Sequence, residues 1–267
     1  IDRVIETLKR FKEYCISYRV SKILAAATSA VRESPNGRDL IKRVRENIGI
    51  TIELISGAEE ARLIYLGVLS GMSLGNESHI ICDIGGGSTE LILANSKDTR
   101  ALTSSRIGAV RLKNDFFQDE PLTNSRLDFI KTFIQGSLEP SIGKIKRRLD
   151  KNESISMIAT SGTAIALGNL ISSDLGEPKQ KMHGYKFEKS NLEDLLSKLI
   201  KLTPFDLRKI PSLSERRSEI IIPGGLILNT SMEMLNISEL TISERALREG
   251  LVIDWMIRKG MLTSRFS

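Results

Sequence analysis

The sequence is poor in the residue types that build covalent cross-links and soft-metal sites. Its 267 residues include only two cysteines, Cys15 and Cys82, and two histidines, His79 and His183. A set this small excludes a disulfide framework and a cysteine–histidine zinc cluster. Free cysteines are typical of a reducing compartment, so we expect a cytoplasmic protein.

Long apolar segments are also lacking. No segment approaches the ~18 consecutive apolar residues that indicate a membrane span. The opening IDRVIETLKRF is charged and has a helical pattern, unlike the apolar core of a signal peptide. We therefore expect no membrane partner.

The charge balance favours an anionic partner. Lys and Arg together number 39 against 33 for Asp and Glu, which gives a net charge of +6. This excess attracts anions but is too small to single out nucleic acid, which we do not expect as a partner. The apolar and charged fractions, 40% and 27%, are those of a globular protein, and the length suffices for two domains.

Short apolar segments alternate with amphipathic ones, which predicts an α/β fold. Helices are predicted over 2–18, 34–49, 58–69, 123–150 and about 245–258. Strands are predicted at KILAAAT (22–28), TIELI (51–55), HIICDI, TELILAN, near TSSRIGAVRL, at SMIAT and at ELTIS. The weakest pattern, over 172–190, is expected to be a surface excursion.

The strongest motif is DIGGGSTE, a glycine turn between two apolar strands. No helix follows it directly and it has no lysine, which excludes a P-loop and a dinucleotide fingerprint. Gly85, Gly86 and Gly87 would let backbone N–H groups approach an anion, and the hydroxyls of Ser88 and Thr89 could donate to it. The carboxylates on either side, Asp83 and Glu90, suit Mg²⁺. The alternative is a purely structural tight hairpin.

A second motif, ATSGTAIALGNL, places Ser161, Gly162 and Thr163 where a strand meets a helix. The unpaired N–H groups of a helix start can bind an anion, so this junction could hold a second phosphate. Ordinary helix capping explains the same residues equally well.

Two shorter patterns are weaker. ISGAEEARLIYLGV places Glu59 and Glu60 at a helix start, where the helix dipole stabilises acidic residues, and spacing cannot choose between them. ATSAVR leaves Arg32 just after a strand, where a guanidinium could hold phosphate oxygens or simply face solvent.

In their order and separations, ATSAVRES, ISGAEEARLIYLGV, DIGGGSTELIL, TSGT and ALREG resemble the exopolyphosphatase and guanosine pentaphosphate phosphohydrolase family. The resemblance implies the actin-like α/β fold of sugar kinases and chaperone ATPases, with two domains and a cleft between them. By the family pattern, Glu60 orients or deprotonates the attacking water, and Asp83 helps to hold Mg²⁺ and that water. Gly85, Gly86, Gly87 and Ser88, with Ser161, Gly162, Thr163 and Arg32, hold phosphates.

The resemblance also sets expectations for the domains. We expect 1–57 with about 247–267 to belong to the first domain, and 58–246 to form the second. Relatives begin with a strand and a further phosphate loop of the DIGSNS kind, which we expect upstream of Ile1; a chain starting at Ile1 is then expected to be poorly stable and inactive. Relatives that are longer continue past ALREG into further helical domains, so the chain resembles the short form.

The expected activity is a Mg²⁺-dependent release of orthophosphate. The expected substrates are polyphosphate, the 5′-phosphate of guanosine pentaphosphate, or both, with Mg²⁺ or Mn²⁺ as the cofactor and a homodimer as the possible assembly. One alternative is an actin-like ATPase or kinase, whose purine pocket the PGG of 223–225 could line. Another is a non-catalytic sensor of polyphosphate or nucleotide. The expected partner is polyphosphate or guanosine penta- or tetraphosphate.

Overall fold

The computed structural model of the chain describes residues 1–117, 122–151 and 153–262. The chain forms two compact units, Ile1–Glu60 and Ala61–Ser267. No helix in the described ranges is long and apolar enough to cross a bilayer.

The first unit is small and mostly helical. Its elements are α1 (Asp2–Ser17), β1 (Ala26–Ala27), α2 (Ser29–Arg32), α3 (Gly37–Ile48) and β2 (Glu53–Leu54). Helix α1 packs on α3, and β1 pairs in parallel with β2. The core consists of Ile5, Val44, Ile48 and Ile50. The predicted helices are confirmed; α3 stops at Gly49, whose φ of 74° favours glycine.

The second unit is built on a six-stranded sheet in the order β5-β4-β3-β6-β8-β7. The strands are β3 (Ser78–Ile84), β4 (Thr89–Ala94), β5 (Thr99–Ser105), β6 (Ile155–Thr160), β7 (Lys186–Glu188) and β8 (Glu239–Ile242). Strands β3, β6 and β8 are parallel to one another. Strands β3, β4 and β5 form an antiparallel meander, and β7 is antiparallel to β8.

Helix α4 (Gly57–Leu69) runs from the first unit into the second, and the remaining helices lie in the second. They are α5 (Ala109–Phe116), α6 (Asn124–Lys146), α7 (Ser161–Asp174), α8 (Lys189–Leu199), α9 (Pro204–Arg208), α10 (Glu215–Ser218), α11 (Ile221–Met234) and α12 (Leu247–Arg258). Helices α6, α7 and α11 contact the sheet. Every residue of β4 is buried, including Thr89 and Glu90, and the strand continues as the apolar stretch 91–94.

The structure differs from the sequence prediction in several places. The predicted strand near TSSRIGAVRL ends at Ser105, and α5 begins four residues later. The excursion over 172–190 contains β7, which pairs with β8. Arg32 lies in the short helix α2 rather than directly after a strand, and KILAAAT and TIELI each contribute only two paired residues.

The predicted domain boundaries stay a prediction. The division into compact units falls after Glu60, three residues beyond the predicted boundary at 57, and groups α12 with the second unit. Within that unit α12 contacts the later turns of α4, where Arg62 forms an ion pair with Asp254 at 2.6 Å. Residues 263–267, which the prediction also assigned to the first domain, lie outside the described ranges.

Candidate active site

The glycine turn after β3 is held by the start of α5. The N–H of Ala109 donates to the carbonyl oxygen of Gly85 at 2.9 Å, and the N–H groups of Val110 and Arg111 both donate to Gly86 at 3.0 Å. The side chain of Arg111 adds a bond from Nε to the Gly87 carbonyl at 3.2 Å. All three glycine carbonyls are therefore directed towards α5.

This bonding pattern fixes the direction of the N–H groups in the turn. In a trans peptide the N–H points opposite to the C=O of the same unit, and the described chain contains no cis peptide. The carbonyls of Gly85, Gly86 and Gly87 share their peptide units with the N–H groups of Gly86, Gly87 and Ser88. These three donors therefore point away from α5 and form a row suited to an anion.

The glycines of the turn are explained by the close approach of neighbouring atoms rather than by backbone conformation, because neither Gly85 nor Gly86 has a positive φ. The Gly85 N–H closes the turn by donating to the Ser88 carbonyl at 2.9 Å. Gly108, just before α5, is more restricted, because a Cβ there would lie 2.5 to 2.6 Å from backbone atoms of Gly86 and Gly87. Gly108 was not among the predicted site residues; the glycine of RIGAV was the signal for it.

The SGT turn lies beside the glycine turn. It follows β6, and Thr160 at the end of β6 is the register partner of Asp83 in the parallel strand β3. The carboxyl ends of neighbouring parallel strands meet at one sheet edge, where ligands bind in α/β folds. The hydroxyl of Ser161 donates to the Ile84 carbonyl at 3.1 Å and so links the two turns.

The start of α7 is also strained. Ser161 has a φ of 73°, which is costly for a non-glycine residue. Because the first N–H groups of a helix have no partner within it, Gly162 and Thr163 add donors to the same sheet edge. The described geometry thus brings both predicted phosphate turns together in the second unit.

The two carboxylates beside the glycine turn are neighbours. Asp83 and Glu90 are direct partners in the antiparallel β3–β4 register, so their side chains lie on one face of the sheet. Both are buried, at 8% and 1% exposure, and the Ser104 hydroxyl donates to Glu90 Oε1 at 2.7 Å. Cys82 precedes Asp83 in β3. Burial and the charges of the two carboxylates raise the pKa of its thiol, so this cysteine is a poor nucleophile.

The Asp83–Glu90 pair fits Mg²⁺ better than a metal ion that takes all of its ligands from the protein. Within the described ranges no group of three or more His, Cys, Asp or Glu side chains could hold a metal ion. Mg²⁺ commonly binds through one or two carboxylates, with water and substrate phosphates as the other ligands. Asp83 and Glu90 supply such carboxylates next to the two predicted phosphate turns.

The other predicted site residues lie together in the first unit. Arg32 Nη1 lies 3.4 Å from Glu60 Oε2 and donates to the Ile55 carbonyl at 2.8 Å. Glu60 is buried, with 7% exposure, and its backbone N–H donates to the Ser56 carbonyl at 2.8 Å. Arg32 therefore orients the Glu60 carboxylate.

Burial raises the pKa of Glu60, although the charge and hydrogen bond of Arg32 and a hydrogen bond with Thr28 oppose the rise. A carboxylate whose pKa is raised towards neutral is a better proton acceptor than an exposed one. Glu59 is only partly buried, and its N–H donates to the Ser56 hydroxyl at 3.1 Å in an N-terminal cap. The structure thus distinguishes the two glutamates that spacing could not separate.

Some motif residues have structural tasks. The Thr89 hydroxyl, expected to face an anion, donates instead to the Ile107 carbonyl at 2.6 Å. In ALREG, a Cβ on Gly250 would lie 1.8 Å from the Leu63 carbonyl oxygen, so this glycine allows α12 to approach α4.

The PGG segment also serves packing. A Cβ on Gly224 would lie 2.4 Å from the Thr163 side chain, and one on Gly225 would lie 2.6 Å from Leu196. Pro223 does line a cavity of about 1140 Å³. The two glycines, however, are explained by the contacts of α11 with α7 and α8.

The model of the Ppx/GppA phosphatase family matches residues 1–259. The chain belongs to this family. Exopolyphosphatase 1 of Mycobacterium tuberculosis H37Rv is 30% identical over 257 residues, which cover 94% of this chain and 72% of that protein. Exopolyphosphatase 1 of Mycobacterium leprae is 28% identical over 254 residues, covering 94% and 73%.

Solved Ppx/GppA structures show the same fold. An exopolyphosphatase from Cytophaga hutchinsonii matches with a TM-score of 0.87 and 26% identity, over 97% of this chain and 82% of the other. The Aquifex aeolicus family member matches with a TM-score of 0.79 and 24% identity, over 97% and 81%. The predicted family and its α/β, actin-like fold class are thereby confirmed. The roles of the individual Ppx/GppA site residues stay predictions.

Proposed function

We propose that the protein is a Mg²⁺-dependent phosphohydrolase that releases terminal orthophosphate from polyphosphate, the 5′-phosphate of guanosine pentaphosphate, or both. The observation that carries the proposal is the row of N–H groups from Gly86, Gly87 and Ser88, held outward by α5. Membership of the Ppx/GppA phosphatase family and likeness to curated exopolyphosphatases support it.

The proposed chemistry divides among groups already described. The N–H groups of the two turns bind phosphate oxygens, and Arg32 adds a guanidinium for the same purpose. Glu60 accepts a proton from the attacking water or orients it; its raised pKa suits either task. Phosphoryl transfer requires mainly positioning of the substrate and neutralisation of its charge. Backbone N–H groups, an arginine, a carboxylate base and a metal can supply both.

Asp83 and Glu90 would hold Mg²⁺ or Mn²⁺. The metal would neutralise charge on the phosphates and lower the pKa of bound water. Their buried, adjacent carboxylates favour a cation at this place, because like charges side by side repel each other. Cytoplasmic location, a homodimer and a role in guanosine pentaphosphate signalling remain expectations of the same proposal.

The direct test is a release assay for orthophosphate with polyphosphate, guanosine pentaphosphate and ATP side by side. The proposal predicts release from one or both of the first two substrates, and little from ATP. A preference for ATP would favour the ATPase alternative. Binding of the first two without any release, in Mg²⁺ or Mn²⁺, would favour a sensor.

A further inference from the structure

Three consecutive residues of the edge strand β5 carry hydroxyl groups, but they do not share a face of the sheet. Side chains alternate along a strand, so Thr103 and Ser105 lie on one face and Ser104 on the other. The Thr103 hydroxyl donates to the Leu91 carbonyl at 2.6 Å. The Ser105 hydroxyl is hydrogen-bonded to the Ser141 hydroxyl of α6, also at 2.6 Å. Thr103 and Ser105 are therefore used in packing, whereas Ser104 lies on the opposite face.

Strand register places Ser104 in line with the two carboxylates. Glu90 is the partner of Asp83 across β3 and β4, and Ser104 is the partner of Glu90 across β4 and β5. Opposed residues of antiparallel strands have their side chains on the same face, so the three residues form a row across three strands. The Ser104 hydroxyl donates to Oε1 of Glu90 at 2.7 Å, a length typical of a hydrogen bond from a hydroxyl to a carboxylate.

This hydrogen bond restricts the orientation of the Glu90 carboxylate. Glu90 is 1% exposed and Ser104 is partly buried, so little water competes for the bond. An ionised carboxylate has four acceptor positions on its two oxygens, so a bond to Oε1 leaves capacity for a cation. Hydrogen bonds from outer groups orient metal-binding carboxylates, and their loss typically lowers metal affinity by about 10- to 100-fold.

We propose that Ser104 is a positioning residue of the cation site, whose hydroxyl holds the Glu90 carboxylate in the orientation that binds Mg²⁺ or Mn²⁺ beside Asp83. The inference rests on the proposed function, which assigns the cation to Asp83 and Glu90. Ser104 acts through Glu90. Its loss therefore lowers the affinity for the cation and leaves the chemical step unchanged once the cation is saturating.

The test compares Ser104→Ala with Ser105→Ala. Both substitutions remove one hydroxyl from β5, but Ser105→Ala breaks the bond to α6 and leaves the bond to Glu90 in place. Titration with Mn²⁺ alone, followed by the electron paramagnetic resonance signal of free Mn²⁺, should show an affinity loss of about tenfold or more for Ser104→Ala. Ser105→Ala should bind Mn²⁺ normally, even if it melts at a lower temperature.

Orthophosphate release gives a second measurement on the same two variants. Ser104→Ala should need about tenfold more Mg²⁺ for its half-maximal rate, and its kcat at saturating Mg²⁺ should be nearly that of the unsubstituted protein. A loss of kcat that saturating Mg²⁺ does not restore would contradict a role that acts only through the cation.

A second pair of variants keeps the inference testable if alanine disturbs the edge strand. Ser104→Thr and Ser104→Val introduce side chains of nearly the same shape that both suit a strand, but only Ser104→Thr keeps a hydroxyl. Ser104→Thr should retain the Mn²⁺ affinity, and Ser104→Val should lose as much of it as Ser104→Ala. Equal affinities in the Thr and Val variants would show that the hydroxyl does not position Glu90 and would overturn the proposal.

The outcomes separate this inference from the proposed function. If the unsubstituted protein binds no Mn²⁺, the cation assignment fails and the role of Ser104 fails with it. If Asp83→Asn weakens Mn²⁺ binding but Ser104→Ala binds as tightly as Ser105→Ala, the cation assignment stands and the Ser104 inference is wrong. If Mn²⁺ binding depends on Ser104 as predicted but no orthophosphate is released from polyphosphate or guanosine pentaphosphate, the proposed hydrolysis alone is refuted.

Discussion

The two compact units present their predicted site residues in different ways. In the second unit, the proposed anion-binding donors are backbone N–H groups, held by hydrogen bonds from α5 and set on a six-stranded sheet with a large core. In the first unit the reactive groups are two side chains, Arg32 and Glu60, on a small core with a pair of two-residue strands. In the proposed function, anion binding thus depends mainly on backbone positions of the second unit, with the Arg32 guanidinium as a further donor, and proton transfer depends on the burial of Glu60.

If this comparison is correct, substitutions in the two units should affect different measurements. Changes at Glu60 should lower turnover, since a base acts on water and not on the substrate. Changes to the turns or their support should weaken binding. The predictions below test that separation, from the largest expected effect to the smallest.

The largest effect is expected from Glu60→Gln. Loss of the base should reduce kcat by about 10²-fold or more, the usual range for general bases. Glu59→Gln is the matched control, since Glu59 lies at the start of the same helix but is less buried than Glu60, and it should change kcat little. Steady-state orthophosphate release measures both. Equal losses of kcat in the two variants would contradict the role of Glu60 as the general base.

The next largest effect concerns the metal. We expect activity to require Mg²⁺ or Mn²⁺ and to disappear in EDTA, because carboxylates are hard ligands. Asp83→Asn should raise the Mg²⁺ concentration for half-maximal activity by about tenfold or more, whereas Glu60→Gln should leave that concentration unchanged. Undiminished turnover in EDTA would contradict the metal assignment.

Gly108→Ala tests the support of the glycine turn. The new Cβ would contact the backbone of Gly86 and Gly87, so the turn or α5 must shift, at a cost of about 1–3 kcal/mol in stability. We expect KM to rise more than kcat falls. The control is Gly136→Ala in α6, where a Cβ has nothing within 4 Å and alanine favours the helix. Chemical denaturation measures the loss of stability, and steady-state kinetics measures KM and kcat. A normal KM in Gly108→Ala would contradict the proposal that α5 supports the glycine turn.

The smallest effect is a pH dependence of stability. Because folding raises the pKa of Glu60 above its ordinary 4.5, this group's contribution is fully present below about pH 4.5 and is lost as pH rises through the folded pKa. Glu60→Gln cannot ionise. It should therefore melt at a higher temperature than the unsubstituted protein at pH 7, and the difference should shrink towards pH 4. A difference that grows on acidification would show that Arg32 lowers the pKa of Glu60 overall.

Much of this arrangement was predictable because it depends on local sequence. The β3–β4 hairpin follows from two apolar segments around DIGGGSTE, and α3 from its amphipathic pattern and the stop at Gly49. The motifs also placed Asp83 and Glu90 on opposite strands of one hairpin, where register makes them neighbours.

What sequence could not supply was contact between distant segments. Gly108 matters because α5 returns to the glycine turn more than twenty residues after Gly86. The burial of Glu60 and its bond to Arg32 likewise depend on tertiary packing. The direction of its pKa shift could therefore not be predicted from the sequence, because burial and neighbouring charges act in opposite directions. The Thr89 hydroxyl was assigned to an anion for the same reason, since its acceptor, Ile107, lies in another segment.

The most direct test of the division between the two units is equilibrium binding of tripolyphosphate to Glu60→Gln and to Gly108→Ala, measured by calorimetry in Mg²⁺. The account predicts that Glu60→Gln binds with nearly the affinity of the unsubstituted protein although its turnover is largely lost, and that Gly108→Ala binds clearly more weakly. If Glu60→Gln loses affinity in proportion to turnover while Gly108→Ala binds normally, the separation of binding from proton transfer is wrong.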